Sequence, residues 1–214
     1  MENGECCWMA ATQHPSQKIN SMKLVFATQN PGKLREIQTL MPPGIELISL
    51  QDLNFTDDIE ETGSSLRENA LIKARYIYEK FGINCFADDS GLEVEALDGA
   101  PGVYSARYAG PEQIPANNIK KLLEEMKDRD DRRASFKTVI ALVLDDNDHF
   151  FEGVIEGDIT YSPMGNEGFG YDPIFKPIGY EHTFAQMSPL EKNAISHRAR
   201  AVNKLVDFLK QNKE

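Results

Sequence analysis

Two adjacent carboxylates, Asp88 and Asp89, follow the apolar pair Phe86-Ala87 and precede Ser90-Gly91. Acids that a strand delivers to a turn can hold a metal ion or take a proton, and in open α/β sheets the crevice beyond the carboxyl ends of the strands is where ligands settle. The pattern predicts a sharp turn at a sheet edge with both acids on it; a solvated Asp pair is the plain alternative, since Asp, Ser and Gly are common turn residues. A second group is Thr28-Gln29-Asn30-Pro31-Gly32-Lys33. There a strand should end and a helix begin, with Asn30 as cap and Pro31 in the first turn. Free backbone N–H groups and the positive end of the helix dipole would suit a phosphate, and Lys33 would add a point charge. The group lacks the second glycine and Lys-Ser/Thr of a Walker loop, so an ordinary strand-to-helix connection also fits.

Three more clusters complete the candidates. Lys73 falls inside the apolar stripe of a helix, with Asn69 beside it, and must either meet an anion or snorkel to water. Gly168-Phe169-Gly170-Tyr171-Asp172-Pro173 offers close backbone approach, two aromatic faces and one acceptor, which suits a flat heterocycle or a core-closing aromatic turn. Lys192, His197 and Arg198 gather near the start of the last helix, where three bases favour an anion or the polar edge of a base. Arg107, between Tyr104 and Tyr108, could bind phosphate or stack, and stacking is favoured.

Hydrophobic periodicity supplies the elements that must position these groups. Strands are expected over residues 23–28, 45–48 and 84–89, and an acidic loop over 51–63 carries Asp57, Asp58, Glu60 and Glu61. The clearest helix has Ser64 or Ser65 as its cap, a stripe of Leu66, Ala70, Ala74, Ile77 and Phe81, and Gly82 just past its end. A Gly/Pro-rich rigid loop spans 91–110, and an amphipathic helix 117–126. Residues 134–144 and 149–159 form an antiparallel hairpin around an Asp-rich turn, with His149 expected to be exposed. Ser188-Pro189-Leu190-Glu191 is a capping box that opens the C-terminal helix. Helices alternating with strands and then a hairpin indicate a mixed sheet in an α/β or α+β domain.

The chain has 214 residues, 34 acidic against 23 basic, for a net charge of −11. That balance disfavours a partner such as duplex nucleic acid, whose binding needs a basic face. No stretch approaches the roughly 18 apolar residues of a membrane span. Three cysteines, Cys6, Cys7 and Cys85, make no metal spacing and fit a reducing cytosol, hence a cytoplasmic protein. Residues 1–21 lack periodicity and read as a disordered extension before one domain over 22–214.

Taken together, the Thr28-to-Lys33 turn, the segment 86–92, Gly99-Ala100-Pro101-Gly102-Val103-Tyr104-Ser105-Ala106-Arg107, the aromatic loop 168–173 and Glu191-Lys192-Asn193-Ala194-Ile195-Ser196-His197-Arg198 are similar, in order and spacing, to the inosine triphosphate pyrophosphatase family. The resemblance runs from about residue 23 to 208, with Asn166-Glu167 standing where the family has a glycine pair. It implies an elongated, two-lobed mixed α/β fold with a central cleft, a homodimer, a Mg²⁺ cofactor, and hydrolysis of noncanonical purine nucleoside triphosphates to monophosphate and pyrophosphate. It further implies that Thr28, Gln29, Asn30, Pro31, Gly32 and Lys33 cradle the triphosphate with Lys73. Glu61, rather than Glu60, and Asp89 would hold the metal. Asp89 would act as base with Asp88 alongside, and Ser90 would touch substrate. Phe169, Gly170, Tyr171 and Asp172, with Lys192, His197 and Arg198, would read the base. A nucleotide-binding module without turnover and a pyrophosphatase for modified pyrimidine nucleotides are the competing readings.

Overall fold

The computed structural model describes residues 22–212, so the extension expected over 1–21 lies outside the described residues. A six-stranded mixed sheet runs in the order β2-β1-β3-β4-β5-β6. β1 (Met22–Phe26), β2 (Ile45–Ser49) and β3 (Cys85–Val94) are parallel to one another. β4 (Arg133–Leu144), β5 (Asn147–Ile159) and the short β6 (Phe175–Pro177) continue the sheet antiparallel. β4 and β5 form the expected hairpin, and Asp145 and Asp146 take the left-handed turn conformation with φ of 48° and 65°. His149 is half-buried rather than exposed: its ring packs 4.5 Å from that of Phe208.

Alternation along the strands divides the apolar residues between the two faces of the sheet. Leu24, Phe26, Phe86 and Leu142 pack under α1 (Pro31–Leu40) and α5 (His197–Gln211). Val25, Ala27, Cys85 and Ala87 pack under α2 (Leu66–Phe81) on the other face. A third cluster gathers Leu92, Phe136, Phe175 and Phe184 with Ile119 and Leu122 of α3 (Pro115–Glu125), at the far end of β3 and β4. The helix expected over 117–126 thus begins two residues earlier, at a proline suited to a first turn.

Two expectations are corrected. The acidic pair does not sit on a turn: β3 runs through Asp88, Asp89, Ser90 and Gly91 because β4 pairs with it from Cys85 to Val94. Gly91 is there for close approach, since a Cβ would lie 2.5 Å from the Gly102 carbonyl oxygen. The C-terminal segment is two helices, not one. α4 (Pro189–Ile195) carries the capping box, and Ser196, extended at ψ 155°, ends it and caps α5 through the Ala199 N–H. The same serine chemistry that opens helices interrupts this one.

α5 lies so close to β5 that a Cβ on Gly153 would fall 2.0 Å from the His197 carbonyl oxygen. Gly82, past the end of α2, is left-handed at φ 64° but has open space around it. Gly153→Ala should therefore cost about 2–3 kcal/mol by overpacking, against about 1 kcal/mol for Gly82→Ala from backbone strain. Urea unfolding of both variants measures the difference, and equal penalties would mean that α5 is not seated on β5 as described.

Candidate functional site

A cleft of about 840 Å³ opens where β3 outruns its parallel neighbour. β1 pairs with β3 only at Val25–Cys85 and Phe26–Phe86, so β1 leaves the β3 edge from Asp88 onward uncovered, and the turn around Ala100–Ser105 takes it up again only at Leu92–Val94. The chain leaving β1, the loop before α2 and the starts of α1 and α5 wall the opening. This is how a buried strand presents polar side chains without breaking its ladder: β4 supplies the hydrogen bonds on the other edge.

Adjacent residues of a strand point to opposite faces, and the two acids do so here. Asp88 turns to the α1/α5 face, where its Oδ2 lies 3.2 Å from Lys33 Nζ and accepts from Arg198 Nε at 3.2 Å. Burial would push the Asp88 carboxyl up, yet Lys33 and Arg198 outweigh it and hold the group well below the usual carboxylate range. Its Oδ1 is buried without a hydrogen-bond partner among the described residues. Ser90, two residues on, shares that face and bonds Thr138 Oγ1 at 2.6 Å.

Asp89 turns to the α2 face. It accepts from its neighbour Ser90 N–H at 2.9 Å and from the buried Asn69 amide at 3.3 Å, with Lys73 Nζ 3.8 Å away. Burial, with Glu61 and Asp88 adding, raises its carboxyl above the ordinary value despite Lys73 and Lys33. Lys73 does not snorkel; it donates to Glu61, and Asp89 and Glu61 keep it charged against the pull of burial. Asn69 also accepts from Gly63 N–H at 2.8 Å, so one side chain ties the Glu61 loop to β3. The adjacent acids are thus not a pair at one point: Asp89 belongs with Glu61 and Lys73, and Asp88 with Lys33 and Arg198.

The start of α1 also departs from expectation. Asn30 Oδ1 accepts from the N–H groups of Gly32 and Lys33, so the amides of that first turn are already capped, leaving the dipole and Lys33 to attract an anion. Uncapped amides occur instead at α5, where the N–H groups of His197 and Arg198 have no partner among the described residues. Thr28 lies in the connection rather than in β1, bonding Asn30 N–H at 3.2 Å, and Gln29 reaches back to the Asp57 carbonyl.

The aromatic loop is folded by its own acid. Asp172 accepts from Phe169 N–H at 2.8 Å and from Lys192 Nζ at 2.5 Å. Tyr171 is buried with its hydroxyl on the Ser105 carbonyl, and Gly168 and Gly170 take left-handed φ values. Phe169 lies under Lys192 and packs against Gly32, where a Cβ would be only 2.6 Å from the ring. His197 is buried and stacks on Phe136 at 4.6 Å. Burial, helped by Arg198 and Lys192, drives its ring well below the ordinary histidine value, so it is neutral.

The sequence reading missed Glu36. Its carboxylate joins Arg198 to Lys192, which sits 2.7 Å away. The signal was present, because Glu36 is three residues after Lys33 and so on the same face of α1. Burial would raise the Glu36 carboxyl, but Arg198 and Lys192 prevail and hold it below its ordinary value. Glu36→Gln should lower stability by about 3 kcal/mol at pH 7, since it leaves two buried cations short of a partner. The folded carboxyl titrates below the unfolded one, so its contribution is complete above about pH 4.3 and fades as pH falls through the lower folded value. Urea titrations at pH 7 and pH 3 read this directly; a penalty that does not shrink in acid would count against the pairing.

Known proteins share this fold. The Ham1 family model matches residues 24–208. A dITP/XTP pyrophosphatase of Christiangramia forsetii is 58% identical over 188 residues, covering 88% of this chain and 99% of that protein. The structure of the Staphylococcus aureus Ham1 protein superposes with a TM-score of 0.81 at 41% identity, covering 89% of this chain and 100% of that one. A HAM1 protein from Coxiella burnetii gives a TM-score of 0.82 at 44% identity, over 89% and 99% of the two chains. With the match running through every segment that walls the cleft, the chain belongs to the Ham1 family.

Proposed function

We propose that this enzyme hydrolyses inosine, deoxyinosine and xanthosine triphosphates to the monophosphate and pyrophosphate with Mg²⁺, as a cytoplasmic homodimer whose 22–214 region works as one bilobed unit. The observation that carries the reading is the continuity of the cleft: Lys33, Lys73 and Asp89 lie in the same opening as Phe169, Lys192 and the first two residues of α5, His197 and Arg198. One ligand that is polyanionic at one end and a flat heterocycle at the other fits such an opening. The name of the Christiangramia forsetii relative points to the same substrates.

The cleft's charges support a need for a cation. Arg107, Glu61, Lys73 and Asp89 alternate in sign on one face of β3, and Lys33, Asp88, Arg198, Glu36, Lys192 and Asp172 alternate on the other. Each series is neutral, so a triphosphate would bring its own charge uncompensated. Glu61 and Asp89 are two hard oxygen donors facing a common ammonium, and no group of three metal-ligating side chains occurs among the described residues. Two carboxylates suit Mg²⁺, which keeps waters and takes phosphate oxygens, better than a structural zinc. When bound there, Mg²⁺ would neutralise the phosphate chain and make its phosphorus easier to attack.

The chain's own residues do the rest. Asp89, raised by burial and held by Asn69 and Ser90 N–H, accepts the proton of the water that attacks the α-phosphorus. Lys33 and Lys73 steady the negative charge that builds on the departing pyrophosphate. At the base end, the His197 and Arg198 amides can only donate, which suits a 6-oxo group and opposes the 6-amino group of adenine. Arg198's guanidinium is occupied by Asp88, Glu36 and Ser90, so its part is to hold this frame rather than to reach the base itself. A donor facing a donor costs about 1–3 kcal/mol, and two such mismatches give roughly a hundredfold preference.

Pyrophosphate release from inosine, xanthosine, guanosine and adenosine triphosphates tests the reading. The first two should turn over at least about a hundredfold more efficiently than adenosine triphosphate. Chelation of divalent ions should stop the reaction, and Asp89→Asn should slow it by about a thousandfold. Equal efficiency on inosine and adenosine triphosphates would overturn the base assignment; binding without release from any substrate would favour a sensor.

A further inference from the structure

Arg107 ends the 3-10 turn Gly102–Arg107 between β3 and α3 and lines the cleft. The main chain around it is pinned on both sides. Buried Asn118 of α3 donates to the Ala106 carbonyl at 2.9 Å and accepts from Ala109 N–H at 2.7 Å. Ser105 Oγ accepts from Leu92 N–H at 2.9 Å and donates to the Gly102 carbonyl at 2.6 Å, and Tyr171 donates to the Ser105 carbonyl. A turn held so completely presents a side chain rather than carrying it loosely.

The side chain it presents is partly exposed to the cleft. The guanidinium stands 5.2 Å over the Tyr104 ring and 3.7 Å from Glu61 Oε2, beyond hydrogen-bond reach, and none of its donors has a hydrogen-bond partner among the described residues. Of the other cleft cations, Lys73, Lys33, Lys192 and Arg198 each donate to protein oxygens, and only the exposed Arg35 also lacks a hydrogen-bond partner among the described residues. A planar fork of five donors matches phosphate oxygens better than any other side chain. Its nearest carboxylate, Glu61, already shares its other oxygen with Lys73.

We propose that Arg107 is a substrate-binding residue that grips the phosphate chain beside Glu61, in addition to Lys33 and Lys73. This deepens the functional reading above and rests on it for the presence of a phosphate chain in the cleft. Stacking on Tyr104 is then the means of aiming the fork, not its purpose.

Equilibrium titration of the full chain with inorganic tripolyphosphate in Mg²⁺, by calorimetry, tests this without turnover. Arg107→Ala should weaken binding about tenfold and Arg107→Lys by less, with the melting temperature and the half-saturating Mg²⁺ concentration unchanged. Affinity within twofold of the native chain would overturn the assignment. So would a shift in Mg²⁺ requirement without loss of tripolyphosphate affinity, which would mean that Arg107 acts only through Glu61. Failure of the native chain to bind tripolyphosphate would also overturn it. Tripolyphosphate bound by the native chain and weakened in Arg107→Ala, with no pyrophosphate released from inosine triphosphate, would uphold Arg107 and refute the hydrolytic reading instead.

Discussion

An extended strand turns successive side chains to opposite faces, and β3 applies that rule to Asp88 and Asp89 at the point where β1 stops covering its edge. Everything in the cleft follows from that parity. Asp88 recruits Lys33 of α1 and Arg198 of α5, while Asp89 gathers Lys73 and Asn69 of α2 and, through them, the Glu61 loop. Helices on both faces are thereby anchored to neighbouring residues of one strand. Shifting the β3–β4 register by one residue would exchange the two environments and place each acid among the wrong partners.

The two charge series differ in how fully their groups are paired. On the α1/α5 side the pairs are dry and bonded: Arg198 and Lys192 are almost wholly buried, and Glu36 answers both. On the α2 side Asp89 is raised rather than depressed and Arg107 has no hydrogen bond among the described residues. Buried ion pairs add little net stability, but breaking one is costly, so the first face is suited to fixing geometry. The second keeps groups in reserve for a ligand.

Much of this was legible in the sequence. The caps of α1 and α2 at Asn30 and Ser65, Gly82 beyond α2 and the β4–β5 hairpin depend on local chemistry and appear where the residues place them. The residues brought to the cleft, from Thr28 through Lys73 to Arg198, were also marked by composition and by the family resemblance. Apart from the local break at Ser196, what failed was set by a distant partner. Asp-Asp-Ser-Gly reads as a turn because those residues favour turns, yet pairing with β4 keeps it extended. Ser196 breaks the last helix, and Glu36 looked like one more surface acid of α1 because its cations arrive from more than 150 residues away along the chain.

The contact between Gly32 and Phe169 joins two functions that the sequence keeps far apart. Gly32 lies in the turn proposed to seat phosphate, and Phe169 in the loop proposed to receive the base, with no room between them for even one methyl group. The two ends of the cleft are therefore geared together. Drift at position 169 that retunes which heterocycle is accepted must also disturb how the phosphate end is held, so new specificities in this lineage should arise through coordinated replacements rather than by single steps.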